Sequence, residues 1–407
     1  MIKTEFFETA VKLGYYGIEK GGLFGKKDNV RKYWEDTSIK NLLKPLILDL
    51  LSNKNKIRIA DFGCGSGEGY ELITHILSSD NISQRDFLLN PDQIGLYLGL
   101  DISESMVNMG NSIYSKNRNM KFAKADLSKE YPFLDEEPFD IYLSTYSSPS
   151  HLTELELKNL VEKIFNHTSG KSYLVLDLFG KFSPEWPCYW NNSDKEMLPY
   201  NMSWLHLPAV LNANDVEEYF VKFWDSESLI KMLNDSAAKL NKEIKIVTKD
   251  RSIFTGRHID TGYYNSHPQS LRYQVNRLFD TDYKGNLEEL KPDLSFLETY
   301  KEKYPKIIER INDYSNKWNT VINFCNALAE ENNNLIKELI ETTSDELSED
   351  LKMLAWLYRN SQRFPVDHFL ATIMGPQIAC VLRNLELNLP DGLGCGHGLF
   401  CIVEING

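Results

Sequence analysis

The segment IRIADFGCGSGEGYELI, residues 57 to 73, constrains the fold of this chain more than any other. An apolar run ends at Asp61, a glycine-rich stretch follows directly, and a helical pattern of apolar residues begins after it. The glycines Gly63, Gly65 and Gly67 allow backbone conformations that are closed to residues with a side chain. The segment therefore predicts a strand, a loop that a ligand can approach closely, and a helix at whose N-terminus the loop amides face that ligand and can receive a carboxylate.

Two common nucleotide-binding loops do not fit this segment. The dinucleotide pattern G-x-G-x-x-G fails because its third glycine position holds Glu68 when counted from Gly63, and Tyr70 when counted from Gly65. The mononucleotide loop fails because no Gly-Lys-Ser/Thr follows. The remaining pattern, D-x-G-x-G-x-G, resembles motif I of class I S-adenosylmethionine-dependent methyltransferases.

Two later apolar runs support this resemblance. IGLYLGLDIS contains Asp101 followed by Ile102 at a predicted strand end, where a carboxylate can accept both ribose hydroxyls of a nucleoside. MKFAKADLS places Asp126 before Leu127, and the resemblance implies that this pair receives the adenine amino group and ring. Each aspartate alone is also typical of a turn or a helix cap. Together with Asp61, whose charge suits an ammonium group, they favour S-adenosyl-L-methionine as the cofactor.

The order of the elements predicts an α/β fold with a Rossmann-like, seven-stranded methyltransferase sheet and helices on both faces. Strands are predicted at 57–61, 94–100, 120–125, 139–146, 172–179, 243–249 and 398–405, and helices at 68–77, 103–115, 153–167 and 226–241. The last strand is expected to be antiparallel, and the stretch before it reads mostly as helices. We therefore predict a helical lid inserted between strands six and seven, rooted at the edge where ligands bind.

The predicted organisation has four parts. They are an N-terminal helical cap at 1–55, an α/β core at 56–258 with an insertion at 181–225, a helical lid at 259–395, and the final core strand at 396–407. The N-terminal part includes a helix at 29–51, and helices that close over the cofactor are common in the family that the chain resembles.

The amino-acid composition indicates which kinds of molecule the protein is expected to bind. The 407 residues include 45 Lys and Arg against 58 Asp and Glu, a net charge of −13 that opposes binding to nucleic acid or to anionic membranes. No apolar run approaches the roughly 20 residues of a membrane span, and the first residues lack the pattern of a secretory signal. We expect a cytoplasmic protein with free cysteines, no metal site and a small-molecule substrate, and the oligomeric state stays open.

Candidate catalytic residues follow from the predicted topology, which brings the loops after strands four to six to one rim. After strand four, Tyr146 is a candidate wall of the transfer site that also contacts the cofactor, and His151 a candidate acid or base; the alternative makes them core and helix-start residues. Before strand seven, His397 stands between Gly396 and Gly398. It is a further candidate acid or base, with a simple turn as the alternative.

The segment after strand six, RSIFTGRHIDTGYYNSHPQSLRYQV, holds the densest polar and aromatic group in the chain. Arg257 and His258 are candidates to grip an anionic group of the acceptor and to act as a base. The alternative is a hinge in which Arg257 pairs with Asp260.

The sequence thus predicts a methyltransferase that modifies oxygen or nitrogen of a small molecule. The alternatives are another group transfer from the same cofactor, a protein methyltransferase, or a non-catalytic cofactor-binding scaffold.

Overall fold

The computed structural model describes residues 30–78, 83, 86–192, 195–201, 218–256 and 270–406. Its strands are β1 (Ile57–Phe62), β2 (Ile94–Asp101), β3 (Met120–Lys124), β4 (Ile141–Ser144), β5 (Ser172–Phe179), β6 (Leu198–Asn201), β7 (Glu218–Val221), β8 (Glu243–Arg251) and β9 (Gly398–Asn406). Its α-helices are α1 (Asp36–Asn53), α2 (Glu68–Thr74), α3 (Glu104–Ile113), α4 (Glu154–His167), α5 (Ser226–Lys239), α6 (Leu271–Arg277), α7 (Pro305–Ala329), α8 (Asn333–Thr342), α9 (Asp345–Arg359) and α10 (Gly375–Leu387).

Within the described ranges, one seven-stranded sheet has the order β3-β2-β1-β4-β5-β9-β8. The first five strands of this order pair in parallel, and β9 runs antiparallel between β5 and β8. In the register of the sheet, Phe179 of β5 and Arg251 of β8 are both paired with Gly398, the first residue of β9. The predicted seven-stranded sheet with its antiparallel last strand is therefore confirmed. The carboxyl ends of the parallel strands and the amino end of β9 meet at one edge.

Both faces of this sheet are covered. Every residue of β5, SYLVLDLF, is buried, as expected for a near-continuous apolar run in a parallel sheet with helices on both sides. Ile39 and Leu43 of α1 pack with Ile57 on one face. Leu157 of α4 and Leu229 of α5 belong to the core on the other face.

A third hydrophobic core joins the helical segment between β8 and β9 to the stretch that follows β5. Trp190 and Tyr200 from that stretch share it with Trp318 of α7, Leu351 of α9 and Leu382 of α10. The insertion after β5 therefore packs with the helical segment. Its hairpin of β6 and β7 was not predicted, because the sequence there is rich in Trp, Tyr and Pro and lacks the strict alternation of a half-buried strand.

The N-terminal helix reaches the functional edge of the sheet. A π-helical turn, Arg31–Glu35, leads directly into α1. Trp34 donates from its indole nitrogen to Glu386 Oε2 of α10 at 2.8 Å, and Arg383 donates to the backbone oxygen of Tyr33 at 2.9 Å. The start of this helix is thus anchored to the helical segment. None of the helices in the described ranges is long and apolar enough to cross a lipid bilayer.

Candidate functional site

The glycine loop after β1 is held against the end of β2. Gly63, Gly65 and Gly67 have φ angles of +71°, +55° and +111°, a region that side-chain-bearing residues rarely occupy. The Gly63 amide donates to Leu100 O at 2.7 Å, and the Gly65 amide donates to Asp101 Oδ2 at 2.9 Å. The structure therefore brings the predicted loop and the predicted ribose-binding aspartate together.

Asp101 lies almost fully buried at the centre of this contact. Its second oxygen, Oδ1, accepts the amide of Ser103 at 2.9 Å. Burial raises its pKa to about 6, although the amides of Ser103 and Gly65 oppose that rise. Ile102 follows it at the rim, 37% exposed. The carboxylate is fixed by two backbone donors, and each of its oxygens retains capacity for another hydrogen bond.

Asp61, at the end of β1, has an unsatisfied oxygen. Its Oδ2 accepts the hydroxyl of Tyr97, whereas Oδ1 has no hydrogen-bond partner within the described residues. Burial raises the pKa of Asp61 to about 7, the hydroxyl of Tyr97 opposes the rise, and the charges of Glu68 and Asp101 add to it. A buried carboxylate oxygen without a partner is costly in free energy. This position suits a cationic hydrogen-bond donor.

Glu68, the first residue of α2, folds back over the loop. Its carboxylate accepts the amide of Ser66 at 3.0 Å and the hydroxyl of Ser66 at 3.3 Å. The expectation that the loop amides receive a ligand carboxylate is therefore wrong for this conformation. The amides of Gly63, Cys64, Gly65, Ser66 and Gly67 all donate within the protein.

Glu68 is also a functional candidate that sequence reasoning did not select. It was noted only because it interrupts the dinucleotide pattern. Its position at the start of a helix directly after the loop was a usable signal. With Asp61 and Asp101 it places three carboxylates around the glycine loop, so the local potential favours a ligand with a positive charge.

Asp126 has the geometry of a turn residue at the end of β3. Its Oδ1 accepts the amide and the hydroxyl of Ser128 at 3.1 Å and 2.6 Å, and its Oδ2 lies 3.1 Å from Lys129 Nζ. Burial opposes the shift, but these hydrogen bonds outweigh it and lower the pKa of Asp126. Leu127, which follows it, is partly buried. The role of Asp126 and Leu127 in holding adenine stays a prediction.

Tyr146 stands in a strained backbone segment after β4. Tyr146 and Ser147 have φ angles of +56° and +64°, and consecutive left-handed residues other than glycine are typical of functional sites. The amide of Tyr146 donates to Asp177 Oδ2 at 2.9 Å, and its hydroxyl donates to Asp36. The guanidinium of Arg31 lies 3.5 Å from the ring centroid. These contacts fix the position of the ring after β4, and its role as a wall of the transfer site stays a prediction.

A buried ion network links the ends of β5 and β8 to the N-terminal helix. Arg251 Nη2 donates to Asp177 Oδ2 at 2.7 Å, and Arg251 Nη1 lies 2.9 Å from Glu35 Oε1. Arg272 also donates to Glu35, at 3.0 Å. Asp177 Oδ1 has no hydrogen-bond partner among the residues that the structure describes. The network was not predicted, although an aspartate within the apolar run of β5 was a signal for it.

His397 lies at the amino end of β9, buried at 2% exposure. Its Nδ1 is 2.6 Å from Oε2 of Glu185, a residue of the stretch after β5 that the sequence did not single out. Its backbone amide donates to Ser252 O at 3.2 Å, and its backbone oxygen accepts the amide of Gly180 at 3.2 Å. The structure therefore places His397 at the rim of the sheet edge, paired with a carboxylate.

The remaining candidate catalytic residues are His151, Arg257 and His258. His151 packs against Tyr219 of the β6–β7 hairpin, with ring centroids 4.7 Å apart, and burial lowers its pKa to about 4. The side chain of His151 is half-buried against this hairpin. Arg257 and His258, together with Asp260, lie outside the described residues, so their roles stay predictions.

Comparisons with known proteins give structural similarity alone. No protein-family model matches the sequence, and no curated protein matches it. Among solved structures, a S-adenosylmethionine-dependent methyltransferase from Clostridium acetobutylicum is 15% identical, with 55% of this chain and 87% of that chain covered and a TM-score of 0.36. An amino pentose methyltransferase from Micromonospora echinaspora is 12% identical, with 61% and 92% covered and a TM-score of 0.33.

A third similar structure is magnesium protoporphyrin IX methyltransferase from Synechocystis with bound SAH. It is 15% identical, with 61% of this chain and 90% of that chain covered and a TM-score of 0.35. Three features of the chain itself identify its fold: the order β3-β2-β1-β4-β5-β9-β8, the antiparallel β9, and the glycine loop joined to Asp101. By these features, the chain has the class I S-adenosylmethionine-dependent methyltransferase fold.

Proposed function

We propose that this protein is an S-adenosylmethionine-dependent methyltransferase that acts on a small molecule. The observation that carries the proposal is the hydrogen bond from the Gly65 amide to Asp101, which joins the glycine loop to the ribose-binding position. Among the described residues, Oδ1 of Asp61 beside this loop has no hydrogen-bond partner, which supports a ligand with an ammonium group.

The pocket residues fit the parts of this cofactor. Asp101 can accept the ribose hydroxyls while it keeps its bonds to Gly65 and Ser103. Asp61 supplies the partner of the ammonium group. Because the loop amides are already engaged, we assign the cofactor carboxylate to Arg31, whose guanidinium stacks on Tyr146.

The bound cofactor would supply an electrophilic methyl group on a sulfonium. The protein then has to align the acceptor with this group and to exclude water. Tyr146 is suited to the first task, since its backbone and hydroxyl are fixed by Asp177 and Asp36. Asp177, Glu185 and His397 are all buried at the same edge, which supports an enclosed small acceptor over a protein substrate on an open surface.

Calorimetry with S-adenosylmethionine and with S-adenosylhomocysteine tests the proposal. We expect both to bind, and we expect Asp101→Ala to weaken binding strongly, since a buried acceptor of two hydroxyls is lost. Absence of binding to either ligand would contradict the proposal. Binding without release of adenosylhomocysteine across a broad acceptor pool would favour a scaffold, and product mass would reveal transfer of a group other than methyl.

Cofactor affinity should also depend on pH. The pKa values of Asp61 and Asp101 are raised by burial to about 7 and about 6, so both carboxyls are partly protonated in mildly acidic solution. An ammonium group binds the ionised forms better, so binding releases protons and affinity should rise by up to about tenfold per pH unit and per proton from about pH 5.5 to 7.5. Titration calorimetry with adenosylhomocysteine measures this slope.

The matched variant for this measurement is Asp61→Asn. It keeps the shape of the side chain and the hydrogen bond with Tyr97 but removes one titrating group. We expect weaker binding and a flatter pH dependence. An unchanged slope in the variant would show that Asp61 does not face the ammonium group.

A further inference from the structure

We propose that His397 and Glu185 form a catalytic dyad that removes the proton from a hydroxyl group of the acceptor, so that the substrate is an alcohol or a phenol. This inference rests on the proposed function and narrows it. His397 is the base that contacts the acceptor, and Glu185 is a positioning residue that acts through it.

The geometry of the pair is that of an oriented base. Glu185 Oε2 lies 2.6 Å from His397 Nδ1, and the two side chains are 0% and 3% exposed. A carboxylate in this place accepts the Nδ1 proton, which leaves the lone pair on Nε2. The main chain of His397 is fixed by Ser252 and Gly180. Side chain and backbone therefore hold the imidazole in one orientation.

The location of the dyad fits the acceptor side of the site. In the sheet, β5 alone separates β9, which begins after His397, from β4, which leads to Tyr146. Asp177 of β5 bonds to the Tyr146 amide, and two residues later Phe179 stands edge-on to the imidazole, with ring centroids 5.3 Å apart. Trp186 lies beside the imidazole at 5.5 Å. Aromatic walls of this kind suit a flat acceptor.

Charges on three neighbouring elements act on the imidazole. Burial lowers the pKa of His397, Glu185 raises it, Arg251 at the end of β8 lowers it, and Glu35 of the N-terminal helix raises it. The net shift is downward, so the ring is neutral at neutral pH. A neutral imidazole is the form that accepts a proton.

The acceptor class follows from the need for a base. Displacement at a sulfonium methyl requires a lone pair on the nucleophile. A carboxylate is already ionised, and a neutral amine carries its lone pair, whereas a hydroxyl is a weak nucleophile until its proton is taken.

In the transfer, the hydroxyl oxygen forms a bond to the methyl carbon and the carbon–sulfur bond breaks with its electron pair kept on sulfur. The hydroxyl proton moves to His397 Nε2.

The first test compares acceptor probes in the full-length protein with S-adenosylmethionine. The hydroxyl probes are para-nitrophenol, catechol and benzyl alcohol, and the amine probes are aniline and benzylamine. We expect methylation of at least one hydroxyl probe and not of the amines. Methylation of amines alone, or of no hydroxyl probe while the cofactor binds, would overturn the inference. Failure of cofactor binding itself would instead count against the proposed function.

The second test changes the dyad. His397→Gln should lower kcat by about 100-fold to 10,000-fold with KM and cofactor affinity within about twofold. Glu185→Gln should lower kcat less and move the acidic limb of the pH–rate profile to lower pH, because the carboxylate that raises the imidazole pKa is gone. A structural role would not move that limb. Unchanged kcat in His397→Gln, or an unshifted limb in Glu185→Gln, would contradict the dyad.

A matched control completes the test. His167 of α4 is also paired, with the Tyr142 hydroxyl and with Glu136 O, each at 2.8 Å; His167→Gln should leave kcat and the pH profile unchanged.

Discussion

Replacing Gly65 by valine is expected to lower cofactor affinity by about 100-fold, because strain of roughly 1–3 kcal/mol and a side-chain clash act on the same loop. Gly65 has a φ of +55°, and a Cβ atom there would lie 2.6 Å from Glu68 Oε2. A β-branched residue does not accept this backbone region. The loop would shift, and its amide would leave Asp101. Titration calorimetry with adenosylhomocysteine measures the loss.

Gly170 offers a matched control for backbone strain. Its φ is +73°, and a Cβ atom there would meet nothing within 4 Å. Gly170→Val should therefore carry similar strain, reduce stability and leave cofactor affinity unchanged. Equal affinity in Gly65→Val and the wild type would contradict the proposed binding site, whereas equal losses in both variants would point to a general effect on the fold.

Replacing Arg251 by methionine is expected to lower the free energy of unfolding by about 3–5 kcal/mol, because it leaves the buried carboxylate of Asp177 without its cation and Glu35 with Arg272 alone. Arg251 bridges Asp177 and Glu35, and these three side chains are 4% exposed or less. Methionine is of similar length, so the loss would reflect charge more than volume. Urea unfolding followed by circular dichroism measures the change.

Arg277 provides the matched surface variant. It pairs with Asp280 at 3.0 Å and with Asp282 at 3.1 Å, and Asp282 is 79% exposed. Exposed pairs contribute at most about 1 kcal/mol, so Arg277→Met should change stability little. A loss in Arg251→Met no larger than that in Arg277→Met would show that the network at the sheet edge is dispensable for folding.

The sheet was predictable because its signals are local. Each apolar run, its terminal polar residue and the following helical pattern lie within a short stretch of sequence, as in the segment from Ile57 to Thr74. The direction of β9 followed from the family resemblance. The contact of Gly65 with Asp101 followed from topology, since neighbouring parallel strands bring their carboxyl ends together.

The residues that pair with one another in the candidate site could not be predicted in this way. Glu185 and His397 are 212 positions apart, and Glu35 lies 217 positions from Ser252, to which it is bonded. No local pattern marks either carboxylate as buried or paired. Glu68 was missed for a different reason, because its side chain folds back on the loop in a way that a motif does not encode.

The position of β9 has a consequence for how the protein is made. Within the described residues, β8 pairs only with β9, which joins it to β5. On the ribosome, β8 is synthesised long before β9, because α6 to α10 lie between the two strands in the sequence. The pairing of β8 with β9 can form only after these helices have been made. The helical segment can therefore collapse while the sheet beside it is still incomplete, and pairings of such long sequence separation form slowly. We expect chains released before β9 to display an unpaired strand and to be bound by chaperones or degraded.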